Sequence, residues 1–412
     1  LRDFYQSHYH PSNAIFLTFG DIPAAVHQQK FEQFVLSRFE RSDHRIEVAL
    51  ELPFSEPKRA THSYAIDAGD DTAGKTHLIM GWKLGESADL TAMLEAQLLS
   101  AVLMENSASP LMKYLETTDL GSSPSPLCGV EESMREMVFC CGIEGSEAAQ
   151  SEAFEAQVLA VIESVAKTGI SEDRLNAILH QIELHQREIS GDGMPYGLNL
   201  MLRTLSAATH YGDAVATLDL DPVLATIRSR VTNAEYIPNL IRRLLIDNPH
   251  RVTVTVSPDT TLSECRLTEE KARLAQLKST LDQTQKAEII DLTKALEARQ
   301  AQVDDPTILP RVELTDIPAD IKEPVSTTTV LDHCTLHRYT TGTNGLVYQQ
   351  LVARLPALNA QQLERLPMLT GLMPELGLGD QDYLAVQDRH SATVGSISAG
   401  VLSRSAIDDE QD

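Results

Sequence analysis

Positive charge and aromatic residues are scarce in this chain. Its 412 residues carry 34 lysines and arginines against 59 aspartates and glutamates, a net charge of −25, and aromatics make up 5%. No basic stripe is available to displace counterions from a nucleic acid or to rest on an anionic membrane, so the charge balance opposes both partners, whereas basic peptides would be tolerated. No apolar run approaches the ~20 residues of a membrane-spanning helix. The five cysteines, Cys128, Cys140, Cys141, Cys265 and Cys334, are odd in number and contain no C-x-x-C pair. In a chain this long they read as reduced thiols, mostly core-filling, rather than as a disulfide framework. There is no G-x-S-x-G nucleophile elbow. The glycine-rich stretch Gly371–Asp380 lacks a following Lys-Ser/Thr and is no phosphate loop.

What remains is the composition of an ordinary soluble globular protein, with 42% hydrophobic residues and a length that suggests two to four domains. The run HYHPSNAIFLTFGD, His8–Asp21, reads as a helix end, a break at Pro11, a buried strand over Ala14–Phe19 and a Gly20-Asp21 turn. A strand buried on both faces needs sheet neighbours, and these would have to precede Leu1. The chain therefore reads as an internal piece of a longer protein. Ala24–Phe39 is expected to be helical, and residues 40–60, charged and proline-containing, to be a linker.

A complete unit follows. Strands are expected over Thr61–Asp67, Thr76–Leu84 and Glu136–Ile143. Helical spacing of Leu90, Met93, Leu94, Leu98, Ala101 and Val102 marks a helix, and Ser109-Pro110 the start of another, closed at Gly121. Glu147–Lys167 ends at Gly169, Ser171 caps the next helix, and further helices cover 195–210 and 233–246. The unit ends in LLIDNPHRVTVTVSPD, 244–259, which repeats the plan of His8–Asp21 and suggests duplication. Leu267–Gln302 lacks glycine and proline and carries leucine stripes. It reads as a helical hairpin, with a coiled-coil arm as the competing reading. Asp304–Pro324, with four prolines, reads as an extended connector. A third unit then opens with strands at 333–339 and 345–353 around the Asn344-Gly345 turn, a helix over Ala360–Glu375 and a strand over Val394–Val401, before the acidic tail of 407–412.

Two histidine groups invite a metal reading. His180 and His185 flank Glu183 on one helix. Their separation of five places the rings about 140° apart around the axis, too far to share one ion. His8 and His10 straddle a helix end with only Asp3 nearby. On the residues alone, no catalytic, cofactor-binding or metal-ligating position can be named.

The runs Tyr5–Ile22, Glu172–Glu188, Leu309–Pro318 and Thr343–Leu351, together with the Leu267–Gln302 hairpin, nevertheless resemble the pitrilysin and insulinase group of zinc metallopeptidases. The likeness lies in the presequence protease and falcilysin branch and runs through nearly the whole chain. It implies an α+β fold of repeated α/β domains, each an antiparallel sheet covered by helices, with a helical-hairpin linker. On that pattern 1–45 closes a catalytic-type first domain, 46–260 is a complete second domain, 261–324 is hairpin and connector, and 325–412 opens a third. The resemblance also implies cleavage of unstructured peptides in a closed chamber by a zinc ion held on an H-x-x-E-H helix. That motif is absent from this sequence, so no family catalytic residue maps onto it, and zinc would be held by ligands outside this chain. The implied role is chamber wall and hinge, inactive alone. The alternatives are a non-catalytic partner subunit of the same superfamily and a module binding peptides at exposed sheet edges. No motif encodes oligomeric state or compartment.

Overall fold

The computed structural model describes residues 1–189, 193–309, 311–320 and 323–403. Two compact units are distinguished: residues 1–64, 71–259 and 344 onward form one, and 65–70 with 260–343 the other. The acidic tail of 407–412 and positions 310, 321 and 322 of the connector lie outside the described residues. Among the described residues no helix is long and apolar enough to cross a membrane.

The first unit begins with α1 (Arg2–His8) and α2 (Ala24–Phe34). It continues through β1 (Lys58–Ala65), β2 (Thr76–Glu86), α3 (Leu90–Met104), α4 (Pro110–Thr117), β3 (Ser123–Pro124), β4 (Gly129–Glu131) and β5 (Glu136–Ser146). Then come α5 (Ser151–Thr168), α6 (Glu172–Arg187), α7 (Tyr196–Thr209), α8 (Asp221–Val231), α9 (Tyr236–Ile241) with a π turn at Arg242–Ile246, and β6 (Arg251–Asp259). The second unit holds α10 (Leu262–Thr280), α11 (Gln283–Ala301), β7 (Ser326–Val330) and β8 (Thr335–Tyr339). The first unit resumes with α12 (Ala360–Leu372) and α13 (Tyr383–Thr393).

The sheet of the first unit runs β1-β6-β2-β5-β3, with β4 also paired to β5, and β2 is antiparallel to both its neighbours. Alternation puts Leu78, Met80, Trp82 and Leu84 on one face of β2. The register places Ile143, Cys141 and Phe139 opposite the first three. All of these are at most 6% exposed. Gly142 is required where the strands approach, because a Cβ there would lie 2.7 Å from the Leu78 carbonyl oxygen. Trp82 donates its indole N–H to the Leu245 carbonyl at 3.0 Å, tying the sheet to the π turn.

Helices α3 and α5 with the π turn pack against the sheet, and α6, α8 and α9 pack on those helices. Asp89 starts α3 by accepting the N–H groups of Thr91 and Ala92. Gly169, at φ +70°, ends α5, and Ser171 caps α6, both as the sequence implied. Ser109 precedes α4 as expected, but its hydroxyl does not cap the helix. It accepts from the Asn106 N–H and the Arg174 guanidinium instead. On β6 the sheet's buried face is carried by Thr253 and Thr255 rather than by the alternating valines. Thr253 donates to Glu155 and Thr255 to Ser151, so α5 meets β6 across a polar seam.

Three expected strands are not formed, and the short β3 and β4 were not foreseen. Residues 14–19 are extended but pair with no strand among the described residues, and Ile15, Phe16, Leu17 and Phe19 are exposed. An extended segment becomes a strand only when a neighbour takes up its N–H and C=O groups. Asn344 and Gly345 do adopt φ +51° and +83°, the left-handed pair a tight hairpin turn demands, yet 345–353 stays unpaired and the hairpin actually built is β7–β8. Residues 394–401 likewise form no strand. In the second unit α10 and α11 follow one another across Leu281-Asp282. Asp282 opens α11 with a reciprocal capping box to Gln285, and the leucine stripes stay exposed.

Trp82→Phe should destabilise the first unit by about 2–4 kcal/mol, through the lost hydrogen bond, the stranded Leu245 carbonyl and the cavity left behind. Urea unfolding followed by circular dichroism checks this. A loss below about 1 kcal/mol would show that the indole contributes only area.

Candidate functional site

The sequence-derived candidates are not brought together. Glu183 on α6 is taken by two arginines, Arg187 at 2.9 Å and Arg228 at 2.7 Å, and so locks α6 to α8 rather than facing a metal beside His180 or His185. His8 Nδ1 lies 3.0 Å from the Phe4 carbonyl oxygen and its ring stacks on Phe4. His10 Nδ1 accepts the Ser12 N–H. Gly371, Gly377 and Gly379 sit around the end of α12 and the following turn, and the helix start after them, α13, has its Ala385 N–H taken by Asp382. Among the described residues, no three His, Cys, Asp or Glu side chains are grouped so as to hold a metal ion. The donors present do not fit the zinc that the resemblance implies.

The adjacent pair Cys140 and Cys141 offers no nucleophile. Cys141 is 1% exposed, and burial pushes its thiol well above the usual range. Burial likewise raises the Cys140 thiol to about 11, aided by Cys128 and Glu131. Thiols held protonated at neutral pH are unreactive.

The strongest polar constellations tie elements together. Glu95 on α3 is 8% exposed and accepts Arg230 of α8 at 3.0 Å, Tyr236 Oη of α9 at 2.8 Å and Arg243 of the π turn at 2.5 Å. Burial and the bond to Glu95 push the Tyr236 phenol up to about 12. Glu155 on α5 accepts Arg59 of β1 at 2.9 Å and Arg251 of β6 at 3.3 Å as well as Thr253. These groups were missed in the sequence reading because each joins residues about a hundred or more positions apart.

One cleft, about 460 Å³ in volume, opens between α13 and the turn from α3 into α4. Glu105, Glu116, Glu375, Gln387 and His390 line it. Arg174 pairs with Asp388 at 3.4 Å, and Gln181 donates to the carbonyls of Ser391 and Val394 at 2.5 and 2.6 Å, so α13 is held to α6 on both sides of Ser391. On its wall the Ser107 hydroxyl donates to Glu116 at 2.9 Å, and among the described residues the cleft gathers no group of three metal donors.

Removing Arg230 or Arg243 alone by alanine substitution should cost little, since each is about half exposed and Glu95 keeps its other partners. The double variant should lose more than the sum of the two, because Glu95 is then left with Tyr236 alone. Denaturation midpoints of the four proteins of this cycle check this, and strict additivity would refute it.

Two models of the peptidase M16 family match the chain: its inactive domain over residues 1–182, and the domain described as associated with the family's subfamily C over residues 256–412. The mitochondrial presequence protease of Danio rerio is 27% identical over 414 residues, covering 100% of this chain and 40% of that protein. Presequence protease 1, chloroplastic/mitochondrial, of Arabidopsis thaliana is 27% identical over 418 residues, covering 98% and 38%. Among solved structures, a protease from Helicobacter pylori superposes with a TM-score of 0.38 at 18% identity, over 62% of this chain and 58% of that one. The chain thus spans about two fifths of the length of the curated relatives it matches. With the two models lying over its opening and closing parts, the chain belongs to the M16, pitrilysin-type peptidase family, and the relatives it resembles along its length are presequence proteases.

Proposed function

We propose that this chain is an internal portion of a zinc-dependent metalloendopeptidase that degrades unstructured peptides inside a closed chamber, and that it furnishes chamber wall and hinge but no catalytic residue. The observation that carries this reading is the continuous likeness to presequence proteases along the chain, combined with the absence of an H-x-x-E-H helix from it. On this reading residues 1–45 close the catalytic-type domain, 46–260 are the second domain, 261–324 the linker and 325–412 the start of the third. Zinc belongs to the parent enzyme and takes its ligands from outside this chain. The acidic surface, net charge −25, favours basic peptides over acidic ones by long-range attraction.

The chain by itself should retain no stoichiometric zinc and show no chelator-sensitive cleavage of a fluorogenic unstructured peptide. Elemental analysis and a cleavage assay with and without chelator check both. One zinc per chain together with chelator-sensitive cleavage would overturn the proposal. The competing reading, a non-catalytic partner subunit, is separated by the coding sequence ahead of Leu1: an H-x-x-E-H there supports the protease, and an open frame without one supports the partner.

A further inference from the structure

Between Arg45 and Glu56 the chain runs without regular secondary structure to the start of β1, mostly on the surface: Val48, Leu50 and Leu52 are 57%, 47% and 81% exposed. So little apolar burial cannot hold a segment in place. Its attachment therefore rests on a short series of polar and ring contacts. Arg45 lies over the Tyr211 ring at 3.6 Å, and Tyr211 Oη donates to the Ile46 carbonyl at 2.7 Å. Tyr211 itself is held at φ +62°, a conformation uncommon for a non-glycine residue. Arg135 donates to the Val48 carbonyl. Lys83 of β2 donates both to the Glu51 carbonyl at 2.7 Å and to Glu136 of β5 at 2.6 Å, while the Glu51 N–H donates to Glu136 at 2.7 Å.

The last contact differs in kind. The Phe54 N–H donates to His250 Nδ1 at 3.3 Å, and the two rings stack with centroids 3.7 Å apart. Nδ1 can accept only while the imidazole is neutral. His250 is 9% exposed and sits just ahead of β6, its own carbonyl accepting the Lys83 N–H. The charged groups around it come from every packed element: Lys83 from β2, Lys58 from β1, Glu136 from β5 and Glu51 from the segment itself. Lys58 also lies over the other partner of the stack, 3.6 Å from the Phe54 centroid. A proton added to His250 thus removes an acceptor and places a third cation beside two lysines.

We propose that Arg45–Glu56 is a proton-released latch: neutral His250 holds Phe54 and the chain behind it against the sheet, and protonation of His250 frees the segment without unfolding the sheet. Burial first, then Lys83, lowers the His250 pKa from its ordinary 6.5. The attached state therefore favours the neutral ring. Attachment is at full strength above the free-histidine value and is lost as pH falls through the lower value of the attached state.

Hydrogen exchange of peptides spanning 45–57 and 76–86, measured from pH 7.5 to 5.0 and corrected for intrinsic exchange, tests this. Protection of the 45–57 peptide should fall by about threefold or more over that range while the β2 peptide keeps its protection. His250→Asn, whose side-chain oxygen can accept from Phe54 but does not titrate, should abolish the pH step. Phe54→Ala, which removes the ring stack but keeps the backbone N–H, should raise exchange of the 45–57 peptide at every pH. The latch is refuted if the 45–57 peptide is unprotected at pH 7.5, if the step survives in His250→Asn, or if the β2 peptide loses protection in parallel.

Discussion

The first unit depends on β2 being paired along both edges while one face is packed dry. Leu78, Met80 and Trp82 have essentially no exposure, and each has a partner on β5 and on β6. That arrangement settles the backbone hydrogen bonds of three strands at once, so burial of the apolar face carries no penalty from unpaired amides. The Trp82 indole then passes the constraint to the helical layer through the Leu245 carbonyl. Residues 14–19 and 345–353, which pair with no strand among the described residues, remain without strand structure and mostly exposed.

A protein so rich in carboxylates must place some of them inside, and here they become fasteners. Glu95, Glu155 and Glu136 each collect donors from separate elements: α8, α9 and the π turn; β1 and β6; β2 and the Arg45–Glu56 segment. Burial alone would raise the Glu136 carboxyl, yet the bonds from Lys83 and the Glu51 N–H, with the Lys83 charge, hold it below the usual range. Buried carboxylates gripped this way act as joints, not as acids or bases available for chemistry.

Much of the second-domain helix and strand pattern was legible in the sequence. The stripe Met93, Leu94, Leu98, Val102 is buried as its spacing implied, and Gly169 and Ser171 bound α5 and α6 as their chemistry requires. Short β3 and β4 were invisible because two or three residues carry no period. The duplicated plan of helix, proline break and apolar run led to opposite outcomes. Residues 251–259 became β6 because β2 stands beside them, whereas 14–19 found no ladder. The Asn344-Gly345 pair took its turn geometry without a hairpin for the same reason: dihedral preference is local, and pairing is not.

What the sequence determined by itself is what near neighbours decide: helix spans and ends, the left-handed turn residues, the weak case for nucleic-acid or anionic-membrane binding, and the resemblance that led to the family. Only the tertiary structure decided which extended segments became strands, and that β6 turns its threonines rather than its valines to α5. It also decided that Glu183 is spent on Arg187 and Arg228, and that Phe54 meets His250 across nearly two hundred residues of chain. Each of these depends on groups far apart in sequence arriving at hydrogen-bond distance, and no local pattern records such a meeting.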